Sequence, residues 1–211
     1  MSGPVIQPPP HPDWSGRTAV VIASGPSLTR EQCNFAGYYA DPIAPCIAVN
    51  TAYKMAPFAD VYYAGDFMLH KVHHARMKAE QYPHTQLWTC DPSAAERFRL
   101  HRWKGVNKEG LGEQFIHLNG NSGAQAINLA YLFGARRILL LGFTMREIDG
   151  KKHFHGDHEH PLVQKQLFGE WMHKMERVAA DAKRLGVEII NCDPLSAMTC
   201  FPMSTIEKEL P

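Results

Sequence analysis

The sequence predicts an α/β fold in which a mostly parallel sheet is flanked by helices. Short apolar runs alternate with segments of helical periodicity along most of the 211 residues, which is typical of βαβ units. The strongest signal of a buried strand is the run Arg-Ile-Leu-Leu-Leu at residues 137–141. Small and polar residues follow several apolar runs, as expected where the strands of an open sheet end beside a ligand.

Seven strands are expected, because seven short apolar runs are bounded by polar or turn-forming residues. In chain order they lie at residues 18–23, 46–49, 61–65, 86–89, 115–118, 137–141 and 188–191. The segment 91–114 is rich in charged and aromatic residues, and we expect it to be an irregular excursion over the active face.

Four helices are expected between these strands. The first begins at residue 29, and the other three cover residues 67–80, 122–133 and about 162–185. Gly134 and Gly186 end the last two, because glycine is favoured just after a helix. His70 and His74 lie four positions apart in the second helix, and we expect the face that they share to be exposed.

The composition limits the class of protein. Residues 1–16 contain five prolines and are expected to form a flexible arm, whereas residues 17–211 are expected to form one domain. The net charge of +1 provides no general basic field, so an anionic ligand must be held by a local arrangement. Five cysteines without a Cys-x-x-Cys pair, together with the lack of a signal peptide or of a run long enough to span a membrane, predict a cytoplasmic protein.

The turn after the first strand is a candidate phosphate site. It consists of Ser24, Gly25, Pro26 and Ser27. Small residues let backbone amides approach a ligand, and the N-terminus of the following helix attracts an anion. A tight turn with a helix cap explains the same residues. Neither G-x-G-x-x-G nor a Gly-Lys-Ser/Thr sequence is present, which excludes the dinucleotide fingerprint and the Walker loop.

Other strand ends and one helix start carry further candidates. Asn50 follows the second strand and Asp66 the third, where a polar side chain can bind a base or a sugar or merely satisfy a turn. Asn121, Ser122 and Gly123 open the helix before residues 137–141, and they form either a helix cap or a second anion cradle. Two such turns together favour a nucleotide as the ligand.

Residues 153–160 hold four histidines and two carboxylates. His153, His155, Asp157 and His158 offer metal-ligating atoms, but their spacing matches no zinc signature, and no metal site is assigned. An imidazole suits proton transfer at neutral pH, whereas a solvated polar loop needs no function. The position just after the core strand favours acid–base chemistry.

The order of these motifs along residues 18–202 resembles a superfamily of known proteins. That superfamily includes bacterial sialyltransferases that use CMP-sialic acid and proteins like 6-hydroxymethylpterin diphosphokinase. The chain looks most like members encoded in tailed phages and prophages, whose corresponding stretch is similar to residues 142–158.

The resemblance implies a single Rossmann-like domain that binds a nucleotide or nucleotide-sugar. Such turns and strand-end asparagines hold the nucleotide in the sialyltransferases, which points to Ser24, Ser27, Asn50 and Ser122 here. A loop histidine deprotonates the acceptor hydroxyl there, and His155 and His158 are the matching candidates, of which His158 is preferred. The implied activity is that of a glycosyltransferase-like enzyme without a metal cofactor, acting on a small-molecule or glycan acceptor that the sequence does not identify.

The chain departs from the family pattern at Thr144, where members often carry Asp, and the paired tyrosines of the sialyltransferases are missing. Two alternatives therefore stay open. One is an ATP-dependent diphosphokinase, which would need Mg²⁺ held by carboxylates. The other is a non-catalytic nucleotide-binding phage module. Exposed sheet edges and the long helix at about 162–185 also make a homo-oligomer a reasonable expectation.

Overall fold

The computed structural model describes residues 8–40, 43–157, 162 and 167–211. Its strands are β1 (Thr18–Ile22), β2 (Cys46–Val49), β3 (Val61–Tyr63), β4 (Gln86–Thr89), β5 (His101–Arg102), β6 (Gly105–Val106), β7 (Ile116–His117), β8 (Arg137–Leu141) and β9 (Glu188–Asn191). Its α-helices are α1 (Arg30–Tyr39), α2 (Phe67–Glu80), α3 (Pro92–Phe98), α4 (Ser122–Leu132), α5 (Phe168–Leu185) and α6 (Ile206–Glu209), and a 3-10 helix covers Asn50–Lys54.

Seven of these strands form one parallel sheet in the order β5-β4-β3-β2-β1-β8-β9. The chain builds outward from β1 to β5 and then crosses to the other side of β1 to add β8 and β9. Strand order therefore reverses beside β1, and open α/β sheets bind ligands at such a switch point, outside the carboxyl ends of the strands. The predicted α/β class is confirmed, and the arrangement is that of a Rossmann-like domain.

The two faces of the sheet pack against different helices. Val21 and Leu140 belong to one apolar cluster, which also contains residues of α4 and α5. Ile22 and Leu139 belong to the other, which contains residues of α1, α2 and α6. Because successive strand residues face opposite sides of the sheet, β8 is apolar and buried on both faces from Ile138 to Leu141.

The strands predicted at 46–49, 86–89, 137–141 and 188–191 agree with the structure. The run at 115–118 forms β7, but this strand pairs with β6 in a separate two-stranded sheet. Gly134 and Gly186 follow α4 and α5 with φ values of +106° and +67°, a region that glycine adopts at no steric cost. The longest helix begins at Phe168 rather than near 162, and residues 163–166 lie outside the described part of the chain.

The expectation of an irregular segment at 91–114 was wrong in part, since α3, β5 and β6 lie there. The signal was local: Asp91 accepts a hydrogen bond from the Ala94 amide, and Pro92 occupies the first turn of α3. Aspartate before proline is a favoured way to begin a helix.

The face that His70 and His74 share on α2 was also predicted wrongly as exposed, because His70 is fully buried and His74 is half-buried. The neighbouring His73 is buried as well. The rings of His70 and His73 find partners inside the fold: His73 bonds to the Tyr53 hydroxyl and His70 to a backbone carbonyl. Spacing alone identified a shared face but could not show that α3 and the 3-10 helix cover it.

The amino-terminal arm is tied to the body by Trp14. This side chain is 2% exposed and packs edge-on against Phe133, whose carbonyl also accepts the Trp14 amide at 2.7 Å. His11 stacks on the same phenyl ring. Trp14 thus anchors the end of the arm to the body, while most of its neighbours in residues 8–16 are exposed; the flexibility of the arm stays a prediction.

Among the helices that the structure describes, none combines the length and the apolar character that a membrane span requires.

Candidate functional site

A cavity of about 270 Å³ opens at the carboxyl ends of the central strands. The turns after β1, β2, β3 and β8 form its walls, together with the first residues of α4 and α5. It therefore occupies the switch point of the sheet. Of the predicted site residues, its lining includes Ser24, Gly25, Pro26, Asn50, Asp66, Asn121, Ser122, Gly123 and His153.

The start of α4 supplies an anion-binding element. The Asn121 side chain caps the helix by accepting the Ala124 amide at 3.1 Å. The amides of Ser122 and Gly123 come earlier in the first turn, where a helix provides no acceptor of its own. The positive end of the helix dipole adds to their attraction for negative charge. Asn121 thus caps the helix, and the two residues after it line the cavity with amides that meet no acceptor among the described residues.

The turn at 24–27 lacks the amide cradle that the sequence suggested. The Gly25 amide donates to the Gly142 carbonyl at 2.9 Å, the Ser27 amide points to Thr144 Oγ1 at 3.3 Å, and Pro26 has no amide hydrogen. Glycine is needed for another reason: a Cβ at Gly25 would lie 2.4 Å from the Gly142 oxygen. The turn lines the cavity, but its donors hold β1 to β8.

Ser27 has a structural role beside the cavity. Its hydroxyl and that of Thr144 both contact the Asp193 carboxylate, the latter at 2.8 Å. Asp193 is 1% exposed and comes two residues after β9. This cluster joins the ends of three strands. Sequence reasoning missed Asp193, although its place just after a predicted strand was the same signal that identified Asp66.

Among the described residues, His153 is the histidine that lines the cavity. Its Nδ1 lies 3.2 Å from Ser24 Oγ, and the next residue, Phe154, donates its amide to the Ser24 carbonyl at 3.1 Å. The His155 ring stacks behind it with centroids 5.3 Å apart and planes 9° apart. His155 Nε2 in turn lies 2.9 Å from Thr51 Oγ1. Two hydrogen bonds and one ring contact therefore fix the orientation of His153.

The other predicted catalytic residues are placed differently. His155 supports His153 and is not part of the cavity lining. Asp157, the carboxylate predicted with the histidine cluster, is exposed and does not line the cavity. His158 lies outside the described residues.

Asn50 and Asp66 line the wall at the ends of β2 and β3. Asp66 caps α2, since its Oδ1 accepts the Met68 amide at 2.6 Å. Asn50 has a φ of +54°, a strained conformation that asparagine tolerates better than most residues. Its Oδ1 is buried and has no hydrogen-bond partner among the described residues. A buried acceptor without a donor is costly, and a ligand N–H or O–H would relieve that cost.

Part of the cavity wall is apolar and aromatic. Phe143 follows β8 and is 1% exposed, while Phe168 and Trp171 lie in the first turn of α5 with their rings edge-on at 5.8 Å. All three line the cavity. Aromatic faces of this kind accommodate a flat ring by stacking. This aromatic wall was not predicted from the sequence.

No protein-family model matches this chain, and a search of curated proteins gave no match either.

Proposed function

We propose that the cavity binds a nucleotide-activated donor, such as a CMP-sugar, and that the protein is a glycosyltransferase-like enzyme. One observation carries the proposal: uncapped amides at the start of α4 and an oriented imidazole, His153, line the same cavity. The first element suits a leaving phosphate and the second suits an acceptor hydroxyl.

Three parts of the wall correspond to three parts of such a donor. The amides of Ser122 and Gly123 receive the phosphate, and the aromatic wall around Trp171 receives the base. The unsatisfied Asn50 oxygen accepts a hydrogen bond from an amino or hydroxyl group of the nucleoside. The net charge of the chain is close to zero, so this local arrangement provides the attraction for the anion.

The chemistry is a single displacement. The acceptor oxygen forms a bond to the donor carbon as the bond from that carbon to the phosphate oxygen breaks. The acceptor proton passes to His153, and the nucleoside phosphate leaves with its negative charge beside the α4 amides. Ser24 keeps the ring in place through its contact with Nδ1. His153 replaces His158 as the preferred base, because it is the histidine among the described residues that lines the cavity.

A thermal-shift screen tests the proposal directly. We expect CMP, CDP or a CMP-sugar to stabilise the protein, because a ligand at 100 times its dissociation constant adds about 2.7 kcal/mol. The same nucleotides are then measured by calorimetry with and without a chelator. Stabilisation that requires Mg²⁺ and ATP would instead support the diphosphokinase alternative. Binding without any hydrolysis or transfer would support the non-catalytic module.

Ser122→Pro should weaken binding of inorganic phosphate or CMP by about 10- to 100-fold, as expected for losing a charge-assisted hydrogen bond of about 1.5–3 kcal/mol. Proline removes the first amide donor of α4, yet it suits the first helical position, and the preceding Asn121 is extended as proline requires. Isothermal calorimetry measures the effect.

Ser122→Ala is the matched control, since it removes the hydroxyl and keeps the amide. Equal affinity of the proline and alanine variants would contradict an anion site at this helix.

A further inference from the structure

A buried imidazole stands directly behind one wall of the cavity. His70 lies in the first turns of α2, is fully buried, and directs Nε2 to the Ala64 carbonyl at 3.1 Å. A carbonyl can only accept, so Nε2 carries the hydrogen and the ring is held as one tautomer. His70 is thereby fastened to the backbone just after β3.

The turn that His70 holds is part of the cavity wall. Ala64 is followed by Gly65 and Asp66, both of which line the cavity. The His70 amide donates back to the Asp66 carbonyl at 3.4 Å, which closes a ring of contacts around the turn. Little space is left for movement, because a Cβ at Gly65 would lie 2.0 Å from Gln125 Oε1.

The second ring nitrogen of His70 has no such partner. Its Nδ1 is buried and makes no hydrogen bond within the described residues. A proton added there would bring a charge into the interior and create an N–H without an acceptor. The neutral ring fits this site, and the charged ring does not.

The groups around His70 come from its own helix and from the start of α3. His74 is one turn further along α2, Asp66 caps α2, and Asp91 caps α3. The Phe98 ring of α3 covers both imidazoles. Burial is the largest influence and lowers the pKa of His70, and His74 lowers it further. The Ala64 hydrogen bond and the two carboxylates oppose this shift.

We propose that His70 is a positioning residue for the cavity: its neutral ring fixes the turn that carries Gly65 and Asp66, and its protonation releases that turn. The part of this inference that concerns a ligand rests on the proposed function; the part that concerns the turn does not. We call the state in which His70 holds the turn closed, and the state in which the turn is free released. Above pH ~6.5 the ring is neutral in both states. Below it the released state binds the proton more readily, so closure weakens as the pH falls toward the lowered pKa of His70.

Two variants separate the hydrogen bond from the charge. His70→Gln places an amide donor near the position of Nε2 and stays neutral at every pH, whereas His70→Leu removes the donor. His74→Gln is the control, because it removes a neighbouring imidazole for which the structure shows no hydrogen bond to Ala64. Amide hydrogen exchange, followed by NMR at pH 7.5 and 5.5 and corrected for intrinsic rates, reports the closure of the turn through the Met68 amide, which bonds to Asp66.

In the wild type and in His74→Gln, protection of the Met68 amide should fall by up to about tenfold between pH 7.5 and 5.5, because pH 5.5 lies about one unit below the ordinary histidine pKa of about 6.5. His70→Gln should keep its protection at both pH values, and His70→Leu should have low protection at both. Equal acid loss in the wild type and His70→Gln, or no loss in the wild type, would overturn the proposal.

Affinity for CMP, measured on the same four proteins, should follow the same pattern. If CMP binds none of them at either pH, the proposed function fails, and amide exchange still decides the role of His70.

Discussion

Replacing His153 by Asn should lower turnover by about 10²–10⁴-fold, the usual contribution of a general base. An asparagine amide lies close to the position of Nδ1 and preserves a contact with Ser24, so the change removes the base and leaves the wall in place. We expect donor affinity to be retained, because the proposed mechanism places His153 against the acceptor rather than the phosphate. Steady-state transfer assays give turnover, and calorimetry gives donor affinity.

The matched control is His173→Asn, which removes an exposed histidine of α5 that pairs with Glu176. It should have wild-type turnover. Wild-type turnover of His153→Asn as well would exclude His153 as the base and return the role to His158, the preference that the sequence suggested. Loss of donor affinity in His153→Asn would show that this ring serves binding instead.

Gly25→Ala should destabilise the protein by about 3 kcal/mol, at the upper end of the range for overpacking in a close-packed interior. The new methyl group would lie 2.3 Å from Thr144 Oγ1 and 2.4 Å from the Gly142 carbonyl, and one of these contacts is backbone that cannot rotate away. The turn would have to separate from β8, which also displaces the cavity wall. Urea denaturation measures the free energy of unfolding, and CMP titration measures the affinity that depends on the position of the cavity wall.

Gly169→Ala serves as the comparison for this prediction. This glycine lies in α5, and no described atom comes within 4 Å of the place that a methyl group would take, so alanine should stabilise the helix by about 0.5–1 kcal/mol. Similar destabilisation of both variants would show that close packing is not the reason for glycine at position 25.

Much of the sheet could be predicted from the sequence, because buried parallel strands and the glycines that end helices leave strong local signals. Residues 137–141 and Gly186 are examples. The partner of each strand could not be predicted in the same way. Residues 115–118 had the pattern of a strand, but that pattern did not show whether the strand pairs with the main sheet or with Gly105–Val106. Strand partners depend on contacts between distant segments, which periodicity does not encode.

The candidate site was predictable where a residue follows a strand or begins a helix, as with Asn50 and Asn121. The site was not predictable where a backbone amide bonds to another part of the chain and is not available to a ligand, as at Gly25. The sequence does not show which carbonyl each amide meets. His153 and His155 could not be ranked for the same reason. The two differ in position, since His153 lines the cavity and His155 contacts Thr51.

The cavity draws its walls from many separate stretches of the chain, between Ala23 and Trp171. No single supersecondary unit contains the cavity, so partial unfolding of the domain destroys the binding site just as complete unfolding does. By mass action, a bound molecule therefore raises the free energy of every such opening by the same amount. A bound ligand should therefore increase the resistance of the whole domain to proteolysis, rather than protect only the loops that contact the ligand.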